Sequence, residues 1–345
     1  MTGPPRPLGG ASAALAHRLV PHLVGANAVE RPITVDQTNY SVVVDESVIV
    51  KWLLPPVPTP HPGTRLMAHL RAVGFDAMPV FHGELVEGGL VHATVTQFVE
   101  GSLDGWDWCV DELAAELRDG DAAPRSLQSA QRITSMVADL HRALATSGPI
   151  IYEPVIDGDL MSEADRGDHL LDEALHVLDG EPARLLQSGQ HRIAEAIESL
   201  RALAVTPTQP IHGDLHVGQV LRAGDVLVLN DFDGDPVTAA GRHQLRRSPL
   251  VDLAGLIQSL DHVGRIVVRR RLPDRQAAVD TYIAAATTAV CEVYATETRT
   301  DLAAVDQQLY ALRIIQELHE MIYAHRSLPR WMYVPEAALA ALLAG

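Results

Sequence analysis

The side chains of this sequence that could do chemistry crowd into one stretch, Ile211 to Pro236, which reads IHGDLHVGQVLRAGDVLVLNDFDGDP. Asp214 and Gln219 stand in a first polar loop. An apolar, β-branched run, Val226 to Asn230, follows and reads as a short strand, which delivers Asp231 to a second loop. Phosphoryl transfer needs a carboxylate set against an acceptor hydroxyl, with oxygen ligands for Mg²⁺ beside it, and a short hairpin can present both.

The first loop matches the kinase pattern H-x-D-x-x-x-x-N, with Gln219 in place of the Asn. Asp231-Phe232-Asp233-Gly234 matches D-F-G with one residue inserted. Either piece alone is an ordinary turn: HGD is common, and DFDG suits a solvated acidic bend. In this order, with only a short strand between them, ordinary turns explain them poorly.

These residues, together with RRSPLVDLAGLIQSLDH (Arg246 to His262), resemble the maltokinases and the broader aminoglycoside phosphotransferase-like kinases. Those families carry an HGDxHxxQ or HGDxHxxN loop, a DFE/DGEP-type metal loop and an SPLxDxAG helix. Within the group, the short chain and the loop details look most like the actinobacterial glucosamine kinases. The resemblance runs from about Ile33 to Pro335 and is most specific between His212 and His262. It implies an α+β, two-lobed, protein-kinase-like (aminoglycoside phosphotransferase-like) fold, with a β-rich N-lobe and a mainly helical C-lobe.

The roles follow from motif and resemblance together. Asp214 accepts or orients the proton of the acceptor hydroxyl, where positioning matters more than basicity. Gln219 and Asp231 are the expected Mg²⁺ ligands, with water and phosphate completing the shell. His212 is expected to brace the loop, and His216 is a candidate for touching substrate or metal. Asp233 and Asp235 are candidates for a second metal or the substrate, or form a solvated turn. Asp252, by family analogy, anchors the catalytic loop from below.

Lys51, the single lysine of the chain, lies near the end of a strand, where a kinase N-lobe lysine would contact the α- and β-phosphates of ATP. Arg65 stands where related kinases present the glutamate that pairs with this lysine, so another acid or the nucleotide must hold it. The segment Asp36 to Ser41 takes the place of a phosphate-covering loop; it has no glycine and would work through hydroxyls, Ser41 included, amides and backbone N–H groups. By resemblance, Gln97 to Val99 form the hinge against the adenine edge. Sugar recognition is expected from a C-terminal helix whose Arg313, Gln316, Glu317 and Glu320 recur at three- and four-residue spacing. The family's EKAxYE-like pattern is replaced there by QELHEMIY, which implies a different sugar. A carboxylate from Glu317 or Glu320 favours an amino group. Trp331 and Tyr333 are candidates for a pyranose platform or for core packing.

The elements that must position these groups are legible from periodicity. Ser12 to Val24 has helical spacing. Ser41 to Val44 and Ser47 to Leu53 read as strands about the turn Asp45-Glu46, and Leu90 to Val99 as another. The proline-rich LLPPVPTPHPG reads as a loop that no helix or central strand could contain. Helices are expected at Thr64 to Val73, from Gly105, at Ser126 to Leu144 (with His141 packed inside), at Asp168 to Leu178, at Pro182 to Leu203 and at Asp301 to Arg326. Gly180 reads as a stop signal. The expected organisation is a cap segment over residues 1–30, an N-lobe over 31–101 and a helical C-lobe over 102–345.

A chain of 345 residues has room for two lobes, and a hydrophobic content of 47% is that of a globular protein. The net charge of −17 argues against nucleic acid and anionic membrane as partners, since both would repel it. Residues 1–10, rich in Pro and Gly, are expected to be disordered. Cys109 and Cys291 make no disulfide framework and no metal spacing. No basic, apolar leader opens the chain and no apolar run is long enough to span a bilayer, so the expected location is the cytoplasm. The expected activity is an ATP- and Mg²⁺-dependent sugar kinase that phosphorylates D-glucosamine on its 6-hydroxyl. Alternatives are a maltokinase acting at the anomeric hydroxyl, an aminoglycoside phosphotransferase and a pseudokinase that binds without turnover.

Overall fold

The β-branched runs near the N-terminus fold into strands, and a computed structural model describes them within residues 8–33, 39–120, 122–202, 206–234 and 246–345. Asp36, Gln37, Thr38 and Asp235, named above as candidates, lie outside the described residues. The chain divides into two units. One holds Met1–Asp104, Thr146–Tyr152 and Gln219–Gln244; the other holds Gly105–Ala145, Glu153–Gly218 and Leu245–Gly345.

The first unit begins with α1 (Ala11–Leu19), β1 (Glu30–Pro32), β2 (Tyr40–Val44), β3 (Val48–Pro58), α2 (Pro62–Ala72), β4 (Phe81–Glu87) and β5 (Leu90–Gln97). The strands make one antiparallel sheet in the order β1-β2-β3-β5-β4. Alternation decides its register. Val42, Val44, Val48, Val50, Ala93 and Val95 share one face and pack with Leu15 and Ala16 of α1. Each buried valine contributes about 1.5–3 kcal/mol, so a one-residue slip would be costly. Ser41, Lys51 and Thr94 are direct cross-strand partners, so they form one polar row on the opposite face. Asp45 and Glu46 make the β2–β3 turn in left-handed conformation, with φ of 51° and 49°.

The proline-rich segment departs from expectation: β3 runs on through Pro55 and Pro56 to Pro58. Pairing with β2 ends at Trp52, while pairing with β5 resumes at Val57 after a register shift. The last residues of β3 therefore have a strand on one side only in these pairings, where missing N–H donors are tolerated.

The second unit is helical. Its elements are α3 (Gly105–Asp119), α4 (Pro124–Leu144), β6 (Ile156–Gly158), α5 (Met161–Val177), α6 (Gly180–Arg201) and β7 (Thr206–Thr208). The chain then returns to the first unit for the hairpin β8 (Val220–Ala223) and β9 (Val226–Leu229). Four helices complete the second unit: α7 (Leu250–Arg270), α8 (Gln276–Thr298), α9 (Leu302–Ser327) and α10 (Tyr333–Ala344). Gly180 opens α6 with a φ of 63°, so the break before it is a start as much as a stop. Asp301 caps α9, accepting from the N–H groups of Ala303 (3.1 Å) and Ala304 (3.4 Å).

Helix α7 is buried along nearly its whole length and packs against α3, α8, α9 and α10. A helix enclosed on all sides has no solvated face for polar residues. Its Asp252, Gln258, Ser259, Asp261 and His262 are nonetheless buried, so each needs a partner inside. Among the described residues, no helix is long and apolar enough to cross a membrane.

Candidate active site

In the first unit, the hairpin β8–β9 brings two predicted metal ligands to one end. Val220 pairs with Leu229, and beyond that pair the Asn230 N–H donates to the Gln219 carbonyl at 2.8 Å. Gln219 and Asp231 therefore flank the same open end. Asp231 has a left-handed φ of 57°, and Phe232 beside it is buried.

Lys51 lies against this loop. Its ammonium is 2.7 Å from Asp231 Oδ1 and 2.7 Å from Asp233 Oδ2. The expected glutamate partner is thus replaced by two aspartates far along the chain. Burial opposes the charge on Lys51, but Asp233 and Asp231 outweigh it and hold its pKa above the ordinary lysine value. Arg65 turns instead toward the Ile150 carbonyl, at 3.4 Å. Ser41 is buried directly across from Lys51.

Two carboxylates that already hold a cation, with Gln219 at the same hairpin end, offer hard oxygen donors of the type Mg²⁺ takes. Among the described residues, no cluster of three or more His, Cys, Asp or Glu forms a cage for a metal. A small oxygen-donor set suits Mg²⁺, which keeps waters and takes substrate phosphates as its remaining ligands.

At the predicted hinge, backbone groups are partly committed. The Gln97 N–H donates to the Val80 carbonyl at 2.8 Å and the Phe98 N–H to the Ser47 carbonyl at 2.9 Å. The Val99 carbonyl accepts from the Ser102 N–H at 3.3 Å.

In the second unit, α7 holds the loop that carries Asp214. Asp252 accepts from the His212 N–H (2.8 Å) and the Gly213 N–H (2.9 Å), and His141 Nε2 reaches it at 3.0 Å. His141 Nδ1 in turn lies 2.7 Å from the Tyr294 hydroxyl. Burial pushes the Asp252 carboxyl up, but His141 and the loop N–H groups pull harder and keep it below the usual range. Further along the same face, Ser259 Oγ accepts from the Val217 N–H at 3.0 Å. A Cβ at Gly255 would stand 2.4 Å from the Leu215 carbonyl oxygen, so only glycine lets loop and helix approach this closely. Positions 252, 255 and 259 are one turn apart, which is why one helix face can grip the whole loop. Asp214 itself is half-buried.

His216 stacks on Trp106 of α3, with centroids 5.6 Å apart and planes at 25°, and its Nδ1 accepts from the Gly218 N–H at 3.0 Å. Trp106 also stacks against His262, at 6.5 Å and 15°. Sequence reasoning missed Trp106, Ser259 and His262 as site-builders; the only available signal was their place in GWDW and SLDH.

On α9 the expected polar stripe splits. Arg313, Gln316 and Glu320 are half-buried, but Glu317 is fully buried. Glu317 accepts from the Gln258 side chain and lies 2.9 Å from His262 Nε2, while Arg313 Nε donates to Gln258 Oε1 at 2.5 Å. Arg313 and Glu317 thus both turn to Gln258 of α7, while Gln316 and Glu320 bond to each other; an unpaired carboxylate at the depth of Glu317 would be prohibitive, and α7 supplies its partners. Burial works against charge on His262, but Glu317 overrides it and raises the imidazole to about 9. Gln316 Nε2 donates to Glu320 Oε1 at 2.9 Å. Trp331 and Tyr333 stack on each other at 6.3 Å, and Arg270 sits 3.7 Å over the Trp331 ring.

No family model matches the chain. The glucosamine kinase of Streptacidiphilus jiangxiensis is 39% identical over 328 residues, covering 91% of this chain and 73% of that protein. The glucosamine kinase of Mycolicibacterium smegmatis is 36% identical over 327 residues, covering 91% and 79%. Among solved structures, a glucosamine kinase in complex with glucosamine, ADP and inorganic phosphate superposes with a TM-score of 0.81 at 34% identity, covering 98% of this chain and 84% of that one. An aminoglycoside 2′-phosphotransferase in its GDP complex, at 11% identity and a TM-score of 0.51, shares the fold alone; the match covers 96% and 97%.

Proposed function

This chain belongs to the glucosamine kinase family, and we propose that it transfers the γ-phosphoryl group of ATP to the 6-hydroxyl of D-glucosamine. The observation that carries the nucleotide half of this reading is the ion pair between the single lysine and the aspartate of the DFDG loop, 180 residues away in sequence. A cation and a metal-type carboxylate in contact are what an α,β-phosphate and its Mg²⁺ require side by side.

In this reading Lys51 neutralises the α- and β-phosphates, and Ser41, opposite it in the sheet, adds a hydroxyl. Gln219 and Asp231 would hold Mg²⁺ through oxygen. Mg²⁺ held there would supply positive charge against the negative charge of the nucleotide phosphates. The adenine edge meets the hinge at Gln97 and Val99; with the Gln97 N–H already used in the sheet, Val99 carries most of the hydrogen bonding. Asp214 orients the acceptor hydroxyl and takes its proton as the oxygen attacks phosphorus and ADP departs. Because Asp252 fixes the loop backbone at the residues just before Asp214, the carboxylate arrives in place without a reorganisation cost. His216, held by Trp106 and by the Gly218 N–H, is a fixed wall of the acceptor side rather than a metal ligand.

For the sugar, Glu320 is the carboxylate for the ammonium, with Gln316 bonded to it, while Arg313 and Glu317 act through Gln258 and His262 of α7. The N-lobe assignment of residues 31–101 belongs to the same proposal, as does a cytoplasmic location, where ATP is supplied.

The test is ADP release with ATP and Mg²⁺ across glucosamine, N-acetylglucosamine, glucose, maltose and kanamycin, with Asp214→Ala as the blank. Turnover of glucosamine and not of N-acetylglucosamine, giving a 6-phosphate by ³¹P NMR, is the expected result. Preference for maltose overturns the sugar assignment. No ADP above the blank with any acceptor leaves a chain that binds without turnover.

A further inference from the structure

Taking the chain as a kinase, as proposed above, we infer that Asp233 is the positioning residue for Lys51 and that the first turn of α2 holds Asp233 in place. Related kinases would give the lysine a glutamate side chain from this helix. Here the helix lends its N-terminus to a carboxylate that comes from the metal loop.

Three observations converge on this. Asp233 Oδ2 is 2.7 Å from Lys51 Nζ, and the Asp233 side chain is 19% exposed, against 39% for Asp231. The α2 residue at the would-be glutamate position, Arg65, is turned to a backbone carbonyl, and as a cation it could only repel the lysine. Most specific is Gly63, the second residue of α2. A Cβ there would stand 2.6 Å from Asp233 Oδ1 and 2.8 Å from the Phe232 carbonyl oxygen. Backbone and carboxylate therefore pack with no room for a side chain between them. The N-terminal end of a helix favours a nearby anion, and His61, the N-cap of α2, places its Nδ1 3.8 Å from Asp233 Oδ1.

The division of labour follows from chemistry. Asp231 must release Lys51 to take up metal, since one carboxylate oxygen cannot serve both cations at full strength. Asp233, the less exposed of the two and packed against α2, keeps its grip on Lys51 while the ammonium turns to phosphate. The chain thus fixes its lysine with residues that flank the metal loop itself.

The test is ADP binding to the full chain in EDTA, by calorimetry, for wild type, Lys51→Met, Asp233→Asn, the double variant and Gly63→Ala. Lys51→Met and Asp233→Asn are each expected to weaken ADP about tenfold, with the double variant no weaker than the worse single. Gly63→Ala, which keeps both charges and displaces only the carboxylate, is expected to weaken ADP in the same direction. Additive losses of about a hundredfold in the double variant would overturn the inference. So would tighter ADP binding by Asp233→Asn, which would mean that the carboxylate only repels phosphate. Normal binding in EDTA with a raised Mg²⁺ requirement for turnover would make Asp233 a metal ligand instead. A wild-type chain that binds no ADP sinks the nucleotide reading along with the inference, an outcome distinct from all of these.

Discussion

Two of the ion clusters in this molecule, one at Lys51 and one at Asp252, are treated in opposite ways. Lys51, Asp231 and Asp233 have side chains 22%, 39% and 19% exposed. His141 and Asp252 are 4% and 1% exposed, with Tyr294 and two backbone N–H groups filling the remaining hydrogen-bond positions. The first cluster is half-open, and in the proposed reaction its members would trade partners with metal and phosphate. The second is closed and its members have nothing to trade. One arrangement suits groups that take part in turnover, the other groups that only define where turnover happens.

The contrast can be broken most forcefully from the closed side. Asp252→Ala leaves His141 and the two loop N–H groups without their shared acceptor, and a loss of about 3–5 kcal/mol in stability is expected, read by thermal or urea denaturation. Unchanged stability would show that the cluster is not the brace described here. Asp231→Asn should do the reverse. Turnover should fall by about 10²–10³, while stability moves by less than about 1 kcal/mol because the pair is partly solvated.

A pH series sharpens the comparison. His262 titrates near 9 in the folded chain, above the unfolded value of about 6.5. While Glu317, whose own carboxyl is pushed up by burial, stays ionised, its pairing with His262 is fully stabilising near pH 6.5 and is lost as pH rises through about 9. The melting temperature should fall by about 2–4 °C between pH 7 and 9.5, and His262→Gln should flatten that slope. Smallest of all, half-molar salt should weaken ADP binding about two- to threefold by screening the open cluster. The melting contribution of Asp252, measured against Asp252→Asn, should not respond to salt.

Much of this was written locally in the sequence. The amphipathic spacing of α4, the helical spacing of α9 and the two runs about Asp45-Glu46 gave elements, and HGD and DFDG marked the loops of the candidate site. What could not be read depends on partners distant in sequence. Glu317 has the same spacing as Arg313 and Gln316, and only the approach of α7 turns it inward to His262 and Gln258. Asp233 stood open between a metal or substrate role and a solvated turn, because nothing nearby in sequence reveals the Lys51 ammonium or the bare backbone of Gly63. The prolines of β3 argued against a strand, yet they lie beyond the described pairing with β2, which reaches only to Trp52, where missing N–H donors are tolerated. Local propensity was overruled in each case by what packs alongside.

One feature of the open cluster has a use in the laboratory. Lys51 is the single lysine, so its ε-amine and the N-terminal α-amine are the two primary amines in this sequence. An acylating reagent attacks only the unprotonated amine, and the carboxylates around Lys51 keep it protonated. Labelling at that position is therefore slow while the aspartates hold it and quickens when they let go. A mass shift on the Lys51 peptide reports the electrostatic state of this cluster, without a probe having to be built in.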